Sequence, residues 1–156
     1  MALKIRKFQE SDAKETSKML LDSFQWFHKR DKRSWLWKSL QPASVIANSR
    51  TQDILVAEKA SHIVGYISST TTPFQVAYVP MVAVARHKQN LGIGTALLNR
   101  KLRYLRQRKV RKVWLLVTNS NVRAITFYLK HKFVIEGYLR DHTGPGSDEV
   151  LLSRFL

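Results

Sequence analysis

The residues with the clearest chemistry are Gly92-Ile93-Gly94-Thr95. They stand between an apolar β-type run from Val76 to Ala85 and a helical pattern through Leu97, Leu98, Leu102 and Leu105. Glycine lets the backbone approach a ligand with no Cβ in the way. The first N–H groups of a helix lack carbonyl partners, and the helix dipole adds positive potential at the same end. Strand, glycines, helix is therefore an anion-binding arrangement whose expected ligand carries phosphate. Two nucleotide-binding loops do not fit it. A dinucleotide loop wants a third glycine where this chain has Leu97, and a P-loop wants a lysine that Gly94-Thr95-Ala96 lacks. With no cysteine in the chain, disulfides, thiolate metal sites and cysteine nucleophiles are excluded, and thioester chemistry must use a thiol brought by a ligand.

The elements that must hold this loop are legible as an alternation of strands and helices. Lys4 to Lys7 reads as a short strand, with Ser11 as N-cap of a helix carrying Ala13, Met19, Leu20, Phe24 and Phe27. A helix-rich segment continues to about Ser49, interrupted near Pro42. Its aromatic group, Phe24, Trp26, Phe27, Trp35 and Trp37, is read mainly as core, with an acceptor pocket as the other reading. Asp53 to Glu58 and His62 to Ser69 read as a hairpin joined by Lys59-Ala60-Ser61. Pro80 cannot donate to a ladder and places an edge or opening within the Val76 to Ala85 strand. After the glycine loop come a helix, a buried strand from Lys112 to Val117, a helix from about Asn121 to His131, and strands at Phe133 to Leu139 and Glu149 to Phe155. The order is that of an α/β fold. At 156 residues a single domain is expected, large enough to bury roughly 68–70% of its unfolded surface.

Lys and Arg total 27 against 11 Asp and Glu, a net charge of +16 that favours anionic partners. Eight of the 13 residues from Arg100 to Lys112 are basic. The interleaved leucines make this run a solvated helix face followed by a basic loop, with nucleic acid, acidic protein or cofactor phosphates as alternative partners. The N-terminal MALKIRKFQESD has no hydrophobic signal core, and no apolar stretch reaches the ~18 residues of a membrane span. A cytoplasmic protein without membrane partners is expected.

The glycine loop resembles the pyrophosphate loop of the GNAT superfamily of N-acetyltransferases, Arg/Gln-x-x-Gly-x-Gly/Ala, through Gln89-Asn90-Leu91-Gly92-Ile93-Gly94. Downstream, Asn121, Ala124, Tyr128 and Phe133 fall at the spacings of that family's Asn-x-x-Ala-x-x-x-Tyr and Gly-Phe features. Lys132 departs from the pattern, standing where the family has glycine, with His131 before it in place of an apolar residue. The resemblance implies a mixed, splayed central β-sheet flanked by helices, binding acetyl-CoA and passing its acetyl group directly to an amine without a metal. It implies that backbone groups around Val82 and Val84 pair with the pantetheine arm, that N–H groups of Gln89, Asn90, Leu91, Gly92, Ile93, Gly94 and Thr95 hold the pyrophosphate, and that Asn121 bonds near the cofactor. An N-cap role for Asn121 is the alternative, and the two are compatible. Tyr128 looks like the family's general acid. Amine attack on the thioester carbonyl builds an oxyanion whose collapse expels a thiolate, and a phenol can protonate it. The other reading of Tyr128 is a core aromatic.

No carboxylate lies on the Val76 to Ala85 strand, so the general base is open between Glu58, His142 and a water held by backbone carbonyls. A weak base suits a protein N-terminus. An α-amino group of pKa ≈ 7.7–8.0 is deprotonated in roughly one molecule in ten at neutral pH, whereas a lysine near 10.4 is so in about one in 2,500. Protein N-termini are thus the favoured acceptors, with small-molecule amines next. A basic nucleic-acid- or ribosome-associated module and a non-catalytic acyl-CoA sensor are the rival readings, and a homodimer is compatible with the sheet edges of this fold.

Overall fold

The computed structural model describes residues 2–25 and 32–156. Trp26 and Phe27, assigned above to the aromatic group, lie outside the described residues. The strands are β1 (Lys4–Lys7), β2 (Asp53–Lys59), β3 (His62–Thr71), β4 (Val76–Val84), β5 (Lys112–Thr118), β6 (Val134–Leu139) and β7 (Glu149–Phe155). The α-helices are α1 (Ala13–Ser23), α2 (Trp35–Ser39), α3 (Pro42–Ser49), α4 (Ile93–Gln107) and α5 (Val122–Lys130). The strands form a mixed seven-stranded sheet in the order β1-β2-β3-β4-β5-β7-β6. β4 and β5 pair parallel, whereas β1–β2, β2–β3, β5–β7 and β6–β7 are antiparallel. The chain is organised as two compact units, Met1–Thr70 with Met81–Tyr104, and Thr71–Pro80 with Leu105–Leu156.

In the first unit the expected hairpin forms with a turn one residue tighter than its spacing suggests. Ala60 and Ser61 both adopt positive φ, 51° and 62°, as in the two-residue turns that match strand twist. Val56, Ala57, Ile67, Leu97 and Leu98 are buried to 0% exposure and form the core beneath α4. Gly65 on β3 lets α4 dock. A Cβ there would lie 2.7 Å from Leu97 Cδ1 and 3.2 Å from both Ala57 Cβ and Ile93 Cγ2. The first two turns of α4 are thereby seated by the absence of a side chain.

Three expectations for this unit are corrected. The entry to α1 is built by Asp12 rather than Ser11. A 3-10 turn over Glu10–Asp12 precedes the helix, and the Asp12 carboxylate accepts the Gln9 N–H at 2.8 Å. That carboxylate is also held by both terminal nitrogens of Arg6, at 2.7 and 2.9 Å, geometry that a serine cannot offer. Among the described rings of the aromatic group none is fully buried: Trp35 is 59% exposed and Phe24 and Trp37 are half-buried, while Leu36 and Leu40 fill the interior. Finally, the basic run is not uniformly solvated, because Lys101 is 0% exposed. Its ammonium donates to the Asp53 carbonyl at 2.7 Å and lies 5.3 Å from the Tyr104 ring. Leu97, Leu98, Leu102 and Leu105 are buried as expected, and Arg100, Arg103 and Arg106 face solvent.

In the second unit β5 forms as the expected buried strand, with Val113, Leu115 and Val117 buried on one face and the residues between them half-buried. Trp114 on the other face stacks on Tyr78, with ring centroids 4.3 Å apart. The β4–β5 register covers Val76–Tyr78 and ends two residues before Pro80, consistent with a residue that has no N–H to donate.

Candidate active site

The glycine loop lies wholly in the first unit. β4 ends at Val84, the Ala85 N–H bonds the Val64 carbonyl at 2.9 Å, and a 3-10 turn follows over Arg86–Lys88. Asn90 and Gly92 then take positive φ, 62° and 77°, and reverse the chain into α4. The Ala96 N–H bonds the Gly92 carbonyl at 2.9 Å, which makes Gly92 the N-cap and Ile93, Gly94 and Thr95 the first helical residues. Their N–H groups have no carbonyl within the helix to bond to. A Cβ placed on Gly92 would meet nothing within 4 Å, so the space beside the cap is open to a ligand. The two glycines of the motif differ in conformation, since Gly92 has positive φ and Gly94 does not. Leu91 is 60% exposed beside them, and Ile93 is buried against β3. Open space, unpaired N–H groups and the dipole of a 15-residue helix suit a phosphate-bearing ligand.

On β4, Val82 and Val84 precede this loop. The Val84 carbonyl already accepts from Ser23 Oγ at 3.3 Å and Gln89 Nε2 at 3.2 Å, so a ligand pairing there competes with these donors.

The second unit carries Asn121 and Tyr128 on α5. Asn121 Oδ1 accepts the Ala124 N–H at 3.1 Å, an N-cap, as one of its two readings expects. At the other end the helix closes in a Schellman motif. The Lys132 N–H bonds the Leu129 carbonyl at 3.0 Å and the Phe133 N–H bonds the Tyr128 carbonyl at 3.1 Å. The apolar contact typical of the motif is the edge approach of Phe133 to Tyr128, centroids 5.4 Å apart. Lys132 occupies the left-handed position with φ 63°. The turn thus forms without the family's glycine, at the cost of a Cβ in a conformation that disfavours one.

Tyr128 is therefore fixed from both ends of a nine-residue helix. It is 7% exposed, and its hydroxyl makes no hydrogen bond to the described residues. Burial pushes the phenol's pKa up, because desolvation disfavours the phenolate. The group stays protonated through the neutral range as a donor with a free hydrogen.

Of the candidate bases, Glu58 is engaged by Arg6 Nε at 2.7 Å. His142, in the loop before β7, pairs through Nδ1 with the Glu149 carboxylate. Sequence reasoning missed this pairing, seven positions apart across an irregular loop. It also missed the burial of Lys101, for which a signal existed, since position 101 falls on the apolar stripe through Leu97, Leu98 and Leu105.

The chain matches the Acetyltransferase (GNAT) family over residues 8–133. A 48-residue stretch is 38% identical to the uncharacterized protein YxbD of Bacillus subtilis (strain 168), covering 31% of this chain and only 30% of that protein. Among solved structures, the PaiA N-acetyltransferase of Thermoplasma acidophilum, in complex with coenzyme A, superposes with a TM-score of 0.83 at 20% identity over 100% of both chains. The ribosomal-protein-S18-alanine N-acetyltransferase of Escherichia coli does so at 0.80 and 18% identity, over 99% of this chain and 94% of that one. At these identities the superpositions show the fold. The match over residues 8–133 adds the family: the chain belongs to the GNAT acetyltransferases.

Proposed function

We propose that this protein transfers the acetyl group of acetyl-CoA directly to an amine, with a protein N-terminal α-amino group as the acceptor. The observation that carries the reading is the Gly92 cap. It combines positive φ, open space beside the cap and, at Ile93, Gly94 and Thr95, N–H groups with no backbone partner among the described residues. In this reading the loop from Gln89 to Thr95 holds the pyrophosphate, the β4 backbone at Val82 and Val84 lines the pantetheine arm, and Asn121 bonds near the cofactor. Acetyl-CoA supplies the activated thioester. The chain orients it and provides a proton at the Tyr128 hydroxyl for the departing sulfur. Support for an α-amino acceptor comes from the absence of a carboxylate on β4 and from a fold shared with a ribosomal-protein alanine N-acetyltransferase.

Release of free thiol from acetyl-CoA, followed across peptides with free N-termini, lysine-bearing peptides, small amines and polyamines, tests the reading. Turnover is expected first with N-terminal peptides. Coenzyme A at 100 times its dissociation constant should add about 2.7 kcal/mol of stability, with NAD and ATP giving much smaller shifts. No shift with millimolar acetyl-CoA beside a clear shift with NAD would overturn the cofactor assignment.

The solvent-facing arginines 100, 103 and 106 of α4 favour a second, subordinate reading, a weak non-specific association with nucleic acid or ribosomes. Its binding should fall steeply with salt. Sequence-selective, submicromolar binding at physiological salt would promote it over acetyl transfer.

A further inference from the structure

An ammonium must lose a proton before its nitrogen can attack a thioester, and four histidines stand among the described residues. His131 is committed to the helix end, its Nδ1–H donating to the Phe127 carbonyl at 2.8 Å. His87 is exposed in the 3-10 turn. His62 meets Glu15 at 2.9 Å, but both side chains are open to water, 76% and 41% exposed. His142 differs. Its Nδ1 pairs with a Glu149 side chain only 16% exposed, while the imidazole itself is 42% exposed. A carboxylate on Nδ1 orients the ring, leaves Nε2 to receive a proton and stabilises the imidazolium that results.

The pair is held in place by the elements around it. Glu149 opens β7 and sits opposite Thr118, the last residue of β5, and the Thr118 carbonyl accepts the N–H of Asn121, the cap of α5, at 2.8 Å. The dyad thus stands at the strand end from which the Tyr128 helix departs. Its loop is ordered by Asp148, which accepts from the Tyr138 hydroxyl at 2.6 Å and the Asp141 N–H at 2.9 Å. Asp141 Oδ1 accepts the Gly146 N–H at 2.6 Å, and the His142 N–H bonds the Ser147 carbonyl at 3.0 Å. The imidazole is hydrogen-bonded to Glu149 on β7; of the other charged and titratable groups, Tyr138 on β6, Asp141 and Arg140 act on Asp148 in the loop, and Tyr78 on β4 feels the Glu149 charge.

We propose that His142, oriented by Glu149, is the proton acceptor for the incoming amine. The inference rests on the acetyl-transfer reading above. The ammonium gives one proton to His142 Nε2, and the freed nitrogen lone pair forms the N–C bond as the C–S bond breaks. The sulfur leaves with the Tyr128 proton, and the second proton shed by the nitrogen restores the phenol. One proton per turnover passes from His142 to solvent.

The test is a pH–rate profile of the wild type, His142→Gln and Glu149→Gln with acetyl-CoA and a peptide bearing a free α-amino group. General-base assistance is typically worth about 10²–10⁴. His142→Gln should therefore lose about 10²-fold near neutrality and recover as pH rises past the amine's own pKa of about 7.7–8.0, where the acceptor deprotonates unaided. Glu149→Gln should lose less and recover over the same pH range. A His142→Gln rate within twofold of wild type, or a loss equal at every pH, overturns the assignment while leaving acetyl transfer standing. A wild type that releases no thiol with any amine overturns acetyl transfer, and the dyad with it.

Discussion

Replacing Tyr128 by phenylalanine removes one oxygen and keeps the ring that packs on Phe127 and Phe133, centroids 5.2 and 5.4 Å away. Two opposite effects follow. General-acid assistance is typically worth about 10²–10⁴, and a thiolate is already a fair leaving group, so a loss of about 10² is expected. That corresponds to about 2.7 kcal/mol of activation free energy. Stability should move the other way. The hydroxyl has no hydrogen-bond partner among the described residues and belongs to a side chain only 7% exposed. A buried polar group without a partner costs about 1–3 kcal/mol. Part of that cost is relieved by its residual exposure, so the variant should gain up to about 1 kcal/mol, a rise in Tm of up to about 2–4 °C for a chain of this size. Thiol release at saturating acetyl-CoA, read beside thermal melts with and without coenzyme A, separates the two effects. Full turnover would remove Tyr128 from the chemistry. A fall in acetyl-CoA affinity in step with rate would make the hydroxyl a binding group, and a drop in Tm of several degrees would refute the claim that it lacks a partner.

Lys132→Gly should stabilise the fold by about 1 kcal/mol, because a non-glycine residue in the left-handed region costs roughly 1–2 kcal/mol against a smaller entropic penalty for glycine; a denaturant melt showing a less stable variant would contradict this. Asp12→Asn should destabilise by about 2–3 kcal/mol at neutral pH by leaving Arg6 without its two-point partner. The Arg6 bonds hold the Asp12 carboxyl below its usual range, so its contribution is complete above the unfolded value near 3.9 and is lost as pH falls through the lower folded value. Wild-type stability should therefore decline in that acid window while the Asn variant changes less, and parallel acid-unfolding curves would disprove it. Gly92→Ala should weaken coenzyme A binding at least tenfold in a titration, with a stability loss of only about 1–2 kcal/mol from the positive φ; unchanged affinity in a folded variant would remove the loop from the cofactor site.

What the sequence determined by itself was local. The leucine stripe of α4, the α5 pattern and the β7 run are read from periodicities of 3.6 and 2, which the chain must obey wherever it is placed. The Gly92 loop was legible because positive φ before a helix selects glycine. Tertiary structure decided what depends on residues distant in the chain. The stripe already marks position 101 of α4 as inward-facing, but the carbonyl of Asp53 that receives the Lys101 ammonium comes from a strand 48 positions away and only folding supplies it. Asp12, not Ser11, anchors the entry to α1, because Arg6 in the preceding strand comes within two-point reach of a carboxylate that also accepts the Gln9 N–H. The Lys132 turn closed without glycine because Phe133 packs on Tyr128 and the two Schellman bonds outweigh the strain. His142 became distinct from the other described histidines only when β7 brought Glu149 against it. Periodicity fixes which face of an element is apolar, but the partner of a charged side chain depends on folding closing the distance between them.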